Sequence, residues 1–372
     1  MRSFLCAWSI FGLMILALSG AMTGLLLTAA PLLAAEKAIK SASSVKSSSA
    51  PDTRFNAFVQ RLWPLAKARG VSRATFDLAF QGVTPDPLNA RPSLFPSRAK
   101  SVIWLFMNGG PSQVDTWDYK PELEKRDGKE LAGFDPKTGF FPAQVGPLMK
   151  SPFAWTQHGR SGTWASELFP NIAQQTDRMA FIHSCFTNSN NHSPALFMMN
   201  TGVTRMGYPC VGSWVTYGLG SESDSLPSFV VMSDPLNRGL PKGNALNWGA
   251  GFLPSVFQGT WLKPQGEPIA NLKPPANLNE SRQRAQLDLL ASLNRDHLAQ
   301  GPLDNELGAR IESFELAYRM QIAAPEAFDV SREPEHIKRL YGVGEKHCGH
   351  FAAQCLTARR MVERGVRFVQ VY

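Results

Sequence analysis

VIWLFMNGGPSQVDTWD, Val102–Asp118, decides the fold. Val102 to Met107 is apolar without alternation, as in a strand covered on both faces. Asn108 and the Gly109-Gly110-Pro111 turn stop it. Asp115 and Asp118 follow just past the strand end. In an open α/β sheet that end is where ligands sit.

Working outward, Ser166–Asp177 reads as a helix with Leu168, Ile172 and Ala173 on one side. Met179–Ser184 and Ser228–Met232 read as a second and a third apolar strand. Ser281–His297 and Asp304–Met320 carry helical periodicity, through Leu287, Leu290, Leu293 and through Leu307, Ile311, Phe314, Ala317. Phe351–Arg364 is a helix that Gly365 stops, and Val366–Tyr372 is a fourth strand. Strands separated by helices predict an α/β fold: a doubly wound, mostly parallel sheet with helices on both faces. The Pro- and Gly-rich stretch 240–279 reads as a surface excursion.

Charge narrows the partners. Residues 1–100 hold 12 Lys/Arg and 4 Asp/Glu; set against totals of 38 and 30, this leaves 26 of each for residues 101–372. The net charge of +8 is thus local to the front, which argues against a nucleic-acid groove on the body. Cys6, Cys185, Cys210, Cys348 and Cys355 make no disulfide framework. Cys348 and Cys355 stand about 10 Å apart along a helix, too far to bridge. HCGH, His347–His350, reads as a loop-to-helix junction, and Arg359-Arg360 as a solvated helix face.

The front has its own grammar. Residues 1–35 combine an early arginine, a long apolar run and small residues at Ala34-Ala35, as in a signal peptide. Residues 4–30 are long enough to act instead as a membrane anchor. Either reading sends the body to the periplasm or outside. Residues 36–52 are a Ser-rich linker. Residues 53–90 read as a helical segment, with Phe55, Phe58, Val59, Leu62 and Leu65 at helical spacing, Pro64 as a kink, Gly70 as a C-cap and Ser72 as an N-cap. RLWPLAKARGVSRATFDLAFQGVTPDP, Arg61–Pro87, resembles the start of B-type lytic murein transglycosylases. No catalytic glutamate of theirs carries over, because nothing after Pro87 resembles their later helix.

Two stretches carry candidate chemistry. Asp115 and Asp118, if buried at a sheet edge, need donors or a cation. Either a divalent metal meets that need, or one of the pair N-caps a short helix beginning near Trp117 or Tyr119. In TNSNNHSPALFMM, Thr187–Met199, Ser193 precedes Pro194 and reads as an N-cap at the positive end of a helix, where anions bind. It is a candidate metal-activated nucleophile, with His192 beside it; capping alone is the other reading. His183 reads as a core histidine. His158 lies in a Gly-rich loop where Arg160 could meet an anion.

LFMNGGPSQVDTWDYKPEL, TNSNNHSPALFMMNTG, ESFELAYRMQ (Glu312–Gln321), LYGVG (Leu340–Gly344) and CLTARRMVERGVRFVQVY together resemble the domain-of-unknown-function 1501 family, within the sulfatase-like, alkaline-phosphatase superfamily. The resemblance implies that residues 91–372 form a sulfatase-like domain hydrolysing a sulfate or phosphate ester with a divalent metal (zinc, calcium or magnesium). On it, Asp115 and His192 match metal-site positions and Ser193 stands where the nucleophile belongs. Family members continue past the last strand with further His and Asp motifs. The domain is therefore expected to be C-terminally truncated and inactive, without a tightly bound metal, and Val366–Tyr372 to be an exposed apolar edge. A protein that binds sulfated or phosphorylated glycans without catalysis, and a transglycosylase suggested by residues 53–87, are the alternatives.

Overall fold

Val366–Tyr372 does not lie at an edge. A computed structural model describes residues 53–80, 88–91, 93, 95–133, 146–189, 191–234, 243–263, 268–269, 272, 278–300 and 305–372. Residues 1–52, expected to form a signal peptide or anchor and a linker, lie outside them. No helix among the described residues is long and apolar enough to cross a membrane.

The chain divides into two compact units, one within Ala17–Asp86 and one containing Pro87–Tyr372. The first holds α1 (Thr53–Ala68) and α2 (Arg73–Phe80). The expected punctuation is present. Gly70 takes φ +78° after α1, and the Ser72 hydroxyl accepts from the Thr75 amide at 3.1 Å, satisfying one of the amides a helix start leaves unpaired. Helix α1 runs on through Pro64. Val59 and Phe76 are buried, whereas Leu65 is exposed rather than part of the apolar face.

In the second unit the order is β1 (Val102–Leu105), a 3-10 turn Gln113–Asp115, α3 (Pro121–Lys125), β2 (Trp155–His158), β3 (Thr163–Ser166), α4 (Pro170–Ala173), α5 (His192–Thr201), α6 (Val211–Leu219), β4 (Phe229–Met232), β5 (Thr260–Leu262), α7 (Glu280–Gln300), α8 (Asn305–Phe328), α9 (Glu335–Tyr341), α10 (Gly349–Glu363) and β6 (Phe368–Val371). β2 and β3 form an antiparallel hairpin. The other four strands form one parallel sheet in the order β1-β6-β4-β5. β6 therefore pairs on both sides, Val369 with Ile103 and with Val230, and all four of its residues are buried. The expected aggregation-prone edge is corrected: β6 pairs on both sides inside the sheet, where both of its faces are covered.

The faces differ. Val230, Met232, Val369, Val371 and Leu262 pack on Met320, Ala324 and Ala327 of α8 and on Ala358 and Met361 of α10. Phe229, Val231, Phe368 and Tyr372 face Cys210, Trp248 and Val211 and Val215 of α6. Helix α6 approaches closely because Gly212 has no side chain: a Cβ there would meet the Phe229 ring at 2.5 Å. At about 25 cal/mol per Å2 of apolar surface, the burial of these two clusters dominates the unit's stability.

Four readings need correction. Among the described residues Met179–Ser184 pairs with no strand; Phe181 packs on Trp117 instead. Ser166–Asp177 forms only α4 and a 3-10 turn, with Leu168 exposed. The stretch 240–279 supplies β5 and buried Trp248, Phe257, Leu262 and Leu272. Arg360 is buried rather than solvated, donating to Ala327 O at 3.0 Å and Glu326 O at 2.7 Å and pairing with Glu333.

Candidate functional site

All four sheet strands run parallel, so their carboxyl ends share one edge. At the end of β1 the chain turns through Gly109 and Gly110, both at positive φ (+94° and +73°), which a side chain would strain. The 3-10 turn ends on Asp115. The Thr116 hydroxyl donates to Ser112 O at 3.0 Å and tightens the turn. The Ser166 amide donates to Thr116 O at 3.0 Å, tying the turn to β3.

Trp117 anchors this loop. Its ring stacks on Phe169 at 5.5 Å and meets Phe181 at 5.2 Å, within a cluster that includes Ala165, Ala173 and Ile172. Burial of the tryptophan fixes the positions of the carboxylates on either side of it. Asp115 is half-buried. The Asp118 side chain is only 12% exposed; its Oδ1 lies 2.8 Å from Lys120 Nζ and 3.9 Å from His183 Nδ1.

Neither aspartate caps a helix. α3 begins at Pro121 with Lys120 at its N-cap and no side-chain cap bond. His183 is not a core residue: it is exposed and stacks on Phe181 at 5.9 Å. The sequence reading missed the Asp118–His183 pair because it assigned 179–184 to a strand.

Helix α5 starts two residues earlier than the sequence suggested. Asn191 is the N-cap, and its side chain accepts from the Ser193 amide at 3.1 Å. His192 is therefore the first helical residue and exposed, and Ser193 the second and half-buried. Ser193 does not cap, which leaves its hydroxyl for other chemistry. The inner end of α5 is tied to the central strand. Buried Asn200 receives Gln370 Nε2 at 2.7 Å and donates to Asn247 Oδ1 at 3.2 Å. Gln370 Nε2 also donates to the Tyr372 hydroxyl at 2.7 Å, and burial, then the nearby Cys210, pushes that phenol's pKa up.

A second carboxylate–imidazole pair stands past β4. His350 Nε2 lies 3.9 Å from Asp234 Oδ1, with both side chains largely covered. Trp261 Nε1 donates to Ser233 Oγ at 3.0 Å beside it. HCGH is the helix junction the sequence suggested, with Cys348 as N-cap of α10, but the contact to Asp234 was not legible there. His158 Nε2 pairs with the Thr156 hydroxyl at 2.8 Å. The Arg160 amide binds Asp177 at 2.8 Å, and this amide, then that of Ser161, holds the Asp177 carboxyl below its ordinary pKa.

Carboxylates and imidazoles are the donor set for zinc and similar ions. Two ligand atoms on a tetrahedral zinc ion stand about 3.4 Å apart, given bond lengths of about 2.0–2.1 Å. The 3.9 Å between Asp118 Oδ1 and His183 Nδ1 is close to that spacing. Lys120 occupies the same oxygen and would have to swing away. Among the described residues, no cluster of three or more His, Cys, Asp or Glu is set for a metal. Cys185, Cys210, Cys348 and Cys355 are unbridged, and burial pushes the Cys355 thiol up to about 12.

The family described as "Protein of unknown function (DUF1501)" matches residues 99–372, and the chain belongs to it. No curated protein and no solved structure matches the chain.

Proposed function

We propose that this family member is a metal-assisted hydrolase of sulfate or phosphate esters, of the sulfatase-like, alkaline-phosphatase type, working at the carboxyl edge of its parallel sheet. The observation that carries the reading is the loop after β1. It seats two carboxylates around a buried tryptophan, and one of them lies 3.9 Å from an imidazole. Asp118 and His183 would hold the ion; Asp115 and His192, the positions the family resemblance names, would have to close on it, since among the described residues no cluster of three is preset. A divalent ion there would neutralise the ester oxyanion and lower the pKa of a bound hydroxyl.

The chain's own groups do the rest. The start of α5 presents the positive end of a helix dipole to an anionic ester. Ser193 Oγ is the nucleophile: its attack on sulfur or phosphorus expels the alcohol, and water then releases the acid and restores the serine. Asn191 fixes the turn that carries it. A location outside the cytoplasm belongs to the same proposal and rests on the leader-like residues 1–35. The test is turnover of aryl sulfate and aryl phosphate by protein loaded separately with zinc, magnesium, manganese and calcium. Against the expectation of an inactive domain, metal-dependent turnover that Ser193→Ala abolishes is the predicted result. Folded protein that neither binds a metal nor turns over either ester overturns the proposal.

A further inference from the structure

The outer side of α6 carries an aromatic strip that the sheet does not use. Trp214 and Tyr217, three residues apart on one helix face, are 44% and 42% exposed, and Phe252 on the facing loop is 65% exposed. Their rings join edge to face: Tyr208 to Phe252 at 6.2 Å, Phe252 to Trp214 at 5.9 Å, Trp214 to Tyr217 at 6.0 Å. Each end meets a guanidinium. Arg205 lies 5.7 Å from the Tyr208 ring and its Nη2 reaches the Tyr208 hydroxyl at 3.2 Å. Arg91 lies 5.8 Å from the Tyr217 ring and its Nη1 donates to Tyr217 O at 2.5 Å, so Arg205 is the guanidinium that would meet an oxyanion first. Exposed apolar area concentrated in this way marks an interaction site more often than chance surface.

The geometry points to a binding strip for an anionic polysaccharide, apart from the strand-end site and independent of whether that site turns over. Neighbouring rings are spaced at about the width of a sugar ring, and the C–H faces of pyranoses stack on aromatic faces. An apolar protein partner would match the rings but not the terminal arginines. Guanidinium is weakly hydrated and pairs in two-point fashion with sulfate, phosphate or carboxylate. The charge therefore selects a glycan that carries oxyanions rather than a neutral one. The strip is also held rigidly: α6 is fixed by Gly212 against Phe229, and the Arg91 amide donates to Leu219 O at 2.9 Å. Little ordering cost would fall on binding.

Affinity electrophoresis in gels containing dextran sulfate, carboxymethyl dextran or plain dextran tests this, with the full chain. Retardation by either charged polymer and not by plain dextran is expected; the two charged gels distinguish an ester from a carboxylate as the recognised group. Trp214→Ala and Phe252→Ala should each weaken retardation about tenfold, and Arg205→Gln should weaken it less. Both aromatic residues are surface residues, and circular dichroism of each variant checks that it folds. Equal retardation of wild type and both aromatic variants would reduce the effect to bulk charge and overturn the inference. So would no retardation at all, or a dimer in sedimentation that Trp214→Ala abolishes, since a second copy would then cover the strip.

Discussion

The two faces of the central sheet are built from the same strands to different rules. Along β6, Val369 and Val371 face α8 and α10 in an aliphatic layer. Phe368, Gln370 and Tyr372 face α6 among aromatics and buried amides. Gln370 is fully buried, and its Oε1 finds no partner among the described residues. An unsatisfied buried carbonyl costs about 1–3 kcal/mol. A face evolved only to pack has no use for it. The aliphatic side is the stability side; the amide side joins the sheet to α5, which begins with His192 and Ser193.

Substitutions can break or sharpen that contrast. The largest loss is expected behind the aliphatic face, where Glu333 meets the buried Arg360 and Arg359 at 2.6 Å. Glu333→Ala leaves a covered guanidinium with carbonyls alone and should cost about 3 kcal/mol in urea unfolding. The same pair sets a pH dependence. Hydrogen bonding from Arg359, with a further contribution from Arg360, holds the Glu333 carboxyl below its ordinary 4.5. Its contribution is therefore complete above pH 4.5 and fades as pH falls through the lowered value. The stability gap between wild type and Glu333→Gln should narrow over that acid range; a gap constant with pH would contradict the assignment.

Val369→Thr puts a hydroxyl of equal size into the aliphatic layer and should cost about 1–3 kcal/mol. The neighbouring Gln370→Leu should change stability by less than about 1 kcal/mol. It removes the unpartnered oxygen, and the Tyr372 hydroxyl still donates to Asn200 Oδ1 at 3.4 Å. If Gln370→Leu proved as costly as Val369→Thr, the two faces would not differ in kind. The smallest effect concerns thiols. Exposed Cys348 should react with a thiol reagent at neutral pH, while Cys355, pushed up to about 12 by burial, should lag far behind.

Much of this was legible in the chain. Unbroken apolar runs at Val102–Met107, Ser228–Met232 and Val366–Tyr372 announced the parallel strands, and Gly365 marked the stop before the last. Strand order was not legible, since partners are chosen by burial rather than by local pattern; the expected edge strand became the centre. Met179–Ser184 has a strand's composition, yet Phe181 gains more from Trp117 than from a ladder. β5 was hidden because three residues in a Pro- and Gly-rich stretch become a strand only through pairing with β4. Around the candidate site, motif and position placed Asp115 and Asp118 past the end of β1 and His192 and Ser193 at the start of a helix. The pairings Asp118–His183 and Asp234–His350 join residues 65 and 116 positions apart, which no periodicity encodes.

The central claim is that the loop after β1 is a metal site. Zinc titration by isothermal calorimetry tests it most directly, on the wild-type protein and on Asp118→Asn, Asp115→Asn and His192→Ala. One bound ion, weakened at least tenfold by each substitution, is the predicted result. Folded wild-type protein that takes up no ion, or variants that bind as tightly as wild type, would contradict it.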